Sequence, residues 1–195
     1  MAKVHGITAN TYRRLVIDAG QVRVGYTDQS STGLLIGATR GGSTFSVEPE
    51  VKDMPVDGAP GRVMGGSRIT KVAARLEVNF IEFTKELIEM ALPGATTTDW
   101  PDSVPTHDEI RRAIEIALTD YKTNVVLIGE ISGSGQPIIC GIENVLAIGN
   151  FQIAATDKEE HPLKVTFEAH FDPADLETEP WFIRFPKDVA TTEGA

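Results

Sequence analysis

Apolar and polar residues alternate along much of this chain with the period of a β-strand. Leu163, Val165, Phe167, Ala169 and Phe171 interleave with Lys164, Thr166, Glu168 and His170, which predicts a half-buried strand. Val72, Ala74, Leu76, Val78 and Phe80 share one face of a second run, whose other face carries Lys71, Arg75, Glu77 and Asn79. The β-branched stretches 125–128 and 138–142 flank a glycine-rich turn at 132–137 and predict a hairpin, and 144–154 continues as strand material interrupted at Gly149-Asn150. Leu15 to Ile17 and Val22 to Tyr26 stand on either side of Asp18-Ala-Gly20, again in the manner of a hairpin, and Leu34 to Ile36 add a short strand. After Phe80 the period changes. Ile81, Leu87, Ile88, Ala91 and Leu92 fall at helical spacing before Pro93-Gly94, which predicts one helix over 81–92. Residues 106–119 suit either period; Thr106 or Asp108 offers an N-cap, and local propensity leans toward helix. The chain reads as mainly β with one flanking α-helix.

Residues 41–66 break this regularity. Phe45, Val47 and Val51 keep strand spacing, yet Pro49, Pro55 and Pro60 intervene, and proline cannot donate a ladder hydrogen bond in a central strand. The segment therefore lies at a sheet edge or leaves the core. Glycines near both of its ends and a turn signal at Val56-Asp57-Gly58 make it a long extended arm, and a stretch of this length is uncommon inside a compact domain. Docking on another subunit is the expectation; a hairpin mobile in solution is the alternative.

Composition narrows what such a chain does. At 195 residues, 41% of them hydrophobic, residues 1–195 fit one well-cored domain. Twenty-eight acidic against 18 basic residues leave a formal charge of −10, which argues against a groove that grips nucleic acid through its phosphates. No apolar run approaches the roughly 20 residues of a membrane span, and Met1 to His5 lack the apolar core of a signal peptide, so synthesis and retention in the cytosol are expected. The single cysteine, Cys140, excludes an internal disulfide.

Candidate chemistry is sparse. Gly37 to Thr44 follows an apolar strand with the glycines of a phosphate-binding loop, but Ser43 stands where that loop needs lysine and an extended segment follows in place of a helix. His5, His107, His161 and His170 are not at helical spacing from one another. His170 and Asp172, two apart, are the nearest approach to an acid/base pair and read more simply as a solvated strand edge. Cys140 lies in an apolar strand, and Glu159-Glu160 and Asp172 with Asp175 sit in turns as surface charge. No catalytic residue, cofactor site or metal site is expected, and an assembly protein is favoured over an enzyme. A β-sandwich module binding carbohydrate or another surface ligand, with Trp100 and Trp181 as stacking platforms, is the second reading.

The order of the pieces also carries a resemblance. Val56-Asp-Gly58, the passage from Ala74–Val78 to Met90–Gly94, Asp120-Tyr121 before Asn124–Glu130, Glu143–Leu146 with Gly149–Phe151, Asp157–Glu159, Val165–Pro173 and Pro180–Arg184 together resemble the major tail tube proteins of long-tailed bacteriophages, over about residues 55–185. The resemblance implies a β-sandwich or partial barrel with one flanking helix. It implies that 107–119 is a strand in a hairpin with 124–132. It also implies six copies closing into a ring, with rings stacked into a tube through which phage DNA passes without specific binding. Self-association, neighbouring tail proteins (terminator, tape measure and tail tip) and a place in the virion after synthesis in the bacterial cytoplasm follow, with no membrane partner. In such a tube Phe45, Val47, Val51, Met54, Val56 and Trp181 are the candidate inter-subunit or inter-ring contacts.

Overall fold

The structure is a computed structural model that describes residues 6–8, 10–100, 106–154, 157 and 160–187. In chain order its elements are β1 (Val16–Val24), β2 (Leu34–Leu35), β3 (Thr39–Asp53), β4 (Ser67–Phe80), α1 (Lys85–Ala91), β5 (Ala95–Asp99), β6 (Asp108–Arg112), β7 (Lys122–Ile131), β8 (Ile138–Ile148), β9 (Leu163–Glu168) and β10 (Trp181–Arg184). The fold is mainly β, as the alternating runs predict, and its strand pairings are antiparallel.

Eight strands form one network in the order β2-β1-β7-β8-β9-β4-β3, with β10 also on β8, while β5 and β6 make a separate hairpin. Strand β8 belongs to two leaves at once. Opposite β7, its residues Ile139 to Ile142 pair with β10, and its last residues Leu146 to Ile148 pair with β9. Between the two stretches stands Asn144 with φ 49°, the left-handed conformation that asparagine tolerates better than most side chains. The network bends there, so that β1, β7 and β10 face β9, β4 and β3 across one core, and β1 comes close to β3 on the far side.

Alternation decides which residues fill that core. Ala74, Leu76, Val78 and Phe80 of β4, Leu163, Val165 and Phe167 of β9, Val22 of β1, Val125 of β7 and Ile142 of β8 are buried together, and no polar or charged residue is buried among the described residues. Each large side chain so placed contributes about 1.5–3 kcal/mol relative to exposure. Helix α1 closes one end by sinking Leu87 into the same cluster. It is shorter than 81–92 because Thr84 caps it, its hydroxyl accepting from the Leu87 amide at 3.2 Å. Upstream, the Ile81 amide is already bonded to the Ala38 carbonyl at 3.0 Å.

Two local expectations change. Residues 16–24 are one strand, and the turn chemistry of Asp18-Ala-Gly20 serves a register slip between Ile17 and Gln21. Gly20 is held there at φ 74°, and a Cβ on it would meet Leu127 Cδ1 at 2.8 Å. Within 107–119, Asp108–Arg112 is a strand, as the resemblance implies, but it pairs with Ala95–Asp99 and makes no hairpin with 124–132. The reason is steric: both edges of β7 are taken, by β1 and by β8. Helix propensity in this stretch yields only a single 3-10 turn at Leu118–Asp120.

The bend at Asn144 gives a direct test. Asn144→Val is expected to lower stability by about 1–2 kcal/mol, the cost of a left-handed branched residue, and Asn144→Gly to stay within about 0.5 kcal/mol, both read from urea unfolding curves.

Candidate functional site

The features with the look of chemistry turn out to be occupied by structure. The Ala38 amide, in the glycine loop after β2, donates to Glu82 Oε2 at 3.1 Å, so a carboxylate sits where a phosphate would need that donor. Gly41 and Gly42, both at φ 85°, fall in the register slip between Thr39 and Ser43 of β3. His170 packs edge-on against Tyr121 with ring centroids 5.2 Å apart, and its Nδ1 lies 3.2 Å from the Glu168 carbonyl oxygen. Asp172 Oδ1 accepts from the Ala174 amide at 2.8 Å, and Glu160 pairs with Arg40 at 2.8 Å; Glu159 lies outside the described residues. An open groove of about 710 Å³ lies between the end of α1 and the end of β8, and Arg112 is the charged residue on its wall. Among the described residues no group of three or more His, Cys, Asp or Glu side chains is gathered closely enough to hold a metal ion.

Burial pushes the half-buried Cys140 thiol up from its ordinary value. Two turn carboxylates move the other way. Asp28 is held below the usual range first by the Ser30 hydroxyl and then by the Ser31 and Ser30 amides, and Asp175 by the Thr178 hydroxyl, then the Thr178 and Glu177 amides.

What remains unexplained by the protomer's own packing is the far half of the β3–β4 hairpin. The six residues expected at contacts divide there. Phe45 and Val47 lie against the core, Phe45 tilted on Trp181 at 6.5 Å between centroids, and the Trp181 indole N–H donates to Glu179 at 2.6 Å. They turn inward because β3 is still backed by the opposite leaf at that point. Farther out the backing ends: Glu48 to Lys52 and Ser67 to Lys71 are exposed without exception, although the strands stay paired to Asp53 and Ser67. The inward stripe of Phe45 and Val47 continues into Val51, which is 55% exposed and stands directly across from Ile69, 58% exposed. Met54, Val56, Val63 and the fully exposed Met64 follow in the connecting loop, whose ends are tied by the Met54 amide on the Gly66 carbonyl at 2.8 Å. Pro49 sits in β3 as expected of an edge strand, since β3 ends the sheet order.

A two-stranded ribbon solvated on both faces is marginal by itself, and contiguous exposed apolar residues mark interaction surfaces. Of this surface the sequence reading reached Val51, Met54 and Val56 and missed Ile69, Val63 and Met64. The signal for Ile69 was present: the alternating run from Ser67 to Leu76 faces that from Phe45 to Asp53 about Pro60-Gly61. A second exposed apolar stretch, Ile114, Ile116 and Leu118, follows β6, and the sequence shows it only as the ambiguous segment. Trp100 is half exposed at the loop end of the β5–β6 hairpin, its amide bonded to the His107 carbonyl at 2.9 Å. Comparison with protein-family models and with curated proteins yields no match to this chain.

Two measurements check these assignments. Cys140 is expected to react slowly with a thiol reagent at pH 8 in the folded protein and rapidly after unfolding, since its raised pKa and burial both withhold the thiolate. Asp28 and Asp175, with folded pKa values below their unfolded value of 3.8, add stability that is present above that value and lost as pH falls through the folded ones. The variant with Asp28→Asn and Asp175→Asn should therefore show a shallower fall of melting temperature between about pH 4 and pH 2 than the unaltered protein.

Proposed function

We propose that this chain is the subunit of a bacteriophage tail tube, a structural protein that closes into rings, six copies to a ring on the resemblance, which stack around a lumen for DNA. The observation that carries the reading is the β3–β4 ribbon, which runs past the body with Val51 and Ile69 bare on one face and Met54, Val56, Val63 and Met64 bare at its tip. A free monomer gains nothing from this surface, and burying even part of it against a sister copy repays roughly 1.5–3 kcal/mol per large side chain. Edge strands support the same reading. Strand β3 ends one leaf and the two-residue β2 ends the other, and ring closure is a way to remove open edges. The formal charge of −10 suits a wall past which duplex DNA slides, because each additional cation facing it would add a phosphate contact to break.

Electron microscopy of concentrated protein tests the proposal: rings or tubes are expected, and a strictly monomeric protein in the presence of tail-initiating proteins would overturn it. The ribbon's part is tested by replacing residues 50–71 with Asn-Gly, which joins the cross-strand partners Pro49 and Val72 through a two-residue turn. That variant should unfold cooperatively as a monomer and form no tubes; tubes from it would show that the ribbon is not the stacking element.

A further inference from the structure

The ribbon has a second face, and its charges are arranged against its own interest. Lys52 stands directly across from Arg68, and neither makes an ion pair or a side-chain hydrogen bond among the described residues. Like charges opposite one another weaken a strand pair, and here they do so in a molecule with ten more acidic than basic residues. Nearer the body the same face is balanced, with Arg75 on Glu48 at 3.4 Å and Lys71 across from Glu50. The ribbon's outer end thus carries bare Val51 and Ile69 on one face, ahead of Asp53 with its own partner Arg62 at 2.6 Å, and the unpaired cations Lys52 and Arg68 on the other.

The complement of such a surface is one that offers exposed apolar side chains beside unspent carboxylates. Residues 114–120 offer it. Ile114 and Leu118 are almost wholly exposed and Ile116 partly so, and Glu115 between them has no partner among the described residues. The amides of residues 114–116 make no hydrogen bond among the described residues either, so backbone donors stand ready beside the side chains. Asp120 spends one oxygen on the Ala117 amide at 2.7 Å and keeps the other. The rival acidic turn between β9 and β10 keeps one unspent carboxylate, Glu177, but offers less apolar surface: Asp172 and Asp175 cap their own turns, Glu179 holds the Trp181 indole, and Leu176 is its one large exposed apolar side chain among the described residues.

We propose that the ribbon of one copy docks on residues 114–120 of a second copy, Val51 and Ile69 against the bare isoleucines, Lys52 and Arg68 against Glu115 and Asp120. The two surfaces differ, so the contact is head-to-tail and propagates from copy to copy, which agrees with stacking and not with a closed two-fold dimer. This rests on the self-assembly proposed above.

The test mixes two proteins, each also carrying Cys140→Ala: one with Ile69→Cys, the other with Ile114→Cys. Under mild oxidation a mixed disulfide dimer is expected, at least ten-fold more abundant than either homodimer. In parallel, Lys52→Glu with Arg68→Glu should raise the concentration needed for assembly at least ten-fold, and Glu115→Lys on a mixed-in copy should recover most of that loss. Coupling of Ile69→Cys to Leu176→Cys in preference to Ile114→Cys would overturn the docking site. So would tubes that form from the unaltered protein while the mixed disulfide fails to appear, an outcome that leaves self-assembly standing. Absence of any assembly in the unaltered protein would instead overturn the tail tube reading and this inference together.

Discussion

One strand has to satisfy two sheets. Strand β8 pairs along one side with β7 and shares its other side between β10 and β9, so both leaves depend on its register. A one-residue slip would exchange inward and outward faces in both leaves at once, taking Ile142, Val145 and Ala147 out of the core. The bend at Asn144 is what allows a single strand to do this without a break in pairing. Nearby, the Phe182 ring covers Gly141 so closely that a Cβ there would collide with it, which helps to hold β10 in register along the edge of the same strand. Loss of β8 register would remove the core as well as the edge.

From this constraint follows the shape of the rest. The leaf that contains β3 and β4 is longer than the leaf opposite it, and where the shorter one stops the inward stripe goes on without cover. The ribbon is that overhang: its first part, with Phe45 and Val47, belongs to the protomer, and its outer part stays uncovered by the described residues. A fold that needed only to be stable would end both leaves together. The mismatch in length is the feature that points away from a self-contained module and toward assembly. Trp181, held between Phe45 and Glu179, belongs to the side of the boundary where the protomer is complete.

The strands were legible where alternation was long and one-sided. Strands β4 and β9 and the β7–β8 hairpin lie where period-two patterning puts them, and α1 lies inside its expected span, trimmed by the cap at Thr84. Turn composition was less informative, because a bulge and a hairpin draw on the same residues; Asp18-Ala-Gly20 carries the glycine that either would need. The split among the six candidate contacts was not legible at all. Phe45, Val47, Pro49 and Val51 follow one unbroken alternation, and only the reach of the opposite leaf separates the covered pair from the bare one. In the same way Ile110 could have paired with several partners, and the choice of Thr97 was made by the full occupancy of β7.

The pairing of β1 with β7 has a consequence for how the chain is made. The Tyr26 amide and the Asn124 side chain that meet at the end of this pair are 98 positions apart, an interval a ribosome needs on the order of 5–20 s to traverse. Strands β3 and β4 are neighbours in sequence and close as a local hairpin within microseconds of emerging. For those seconds the hairpin stands bare beside other nascent chains on the same messenger, with nothing behind Phe45 or Val47. Pro49 and the charges of Glu48, Glu50 and Lys52 on its free edge then act as gatekeepers, keeping one unfinished polypeptide from adding a strand to the next.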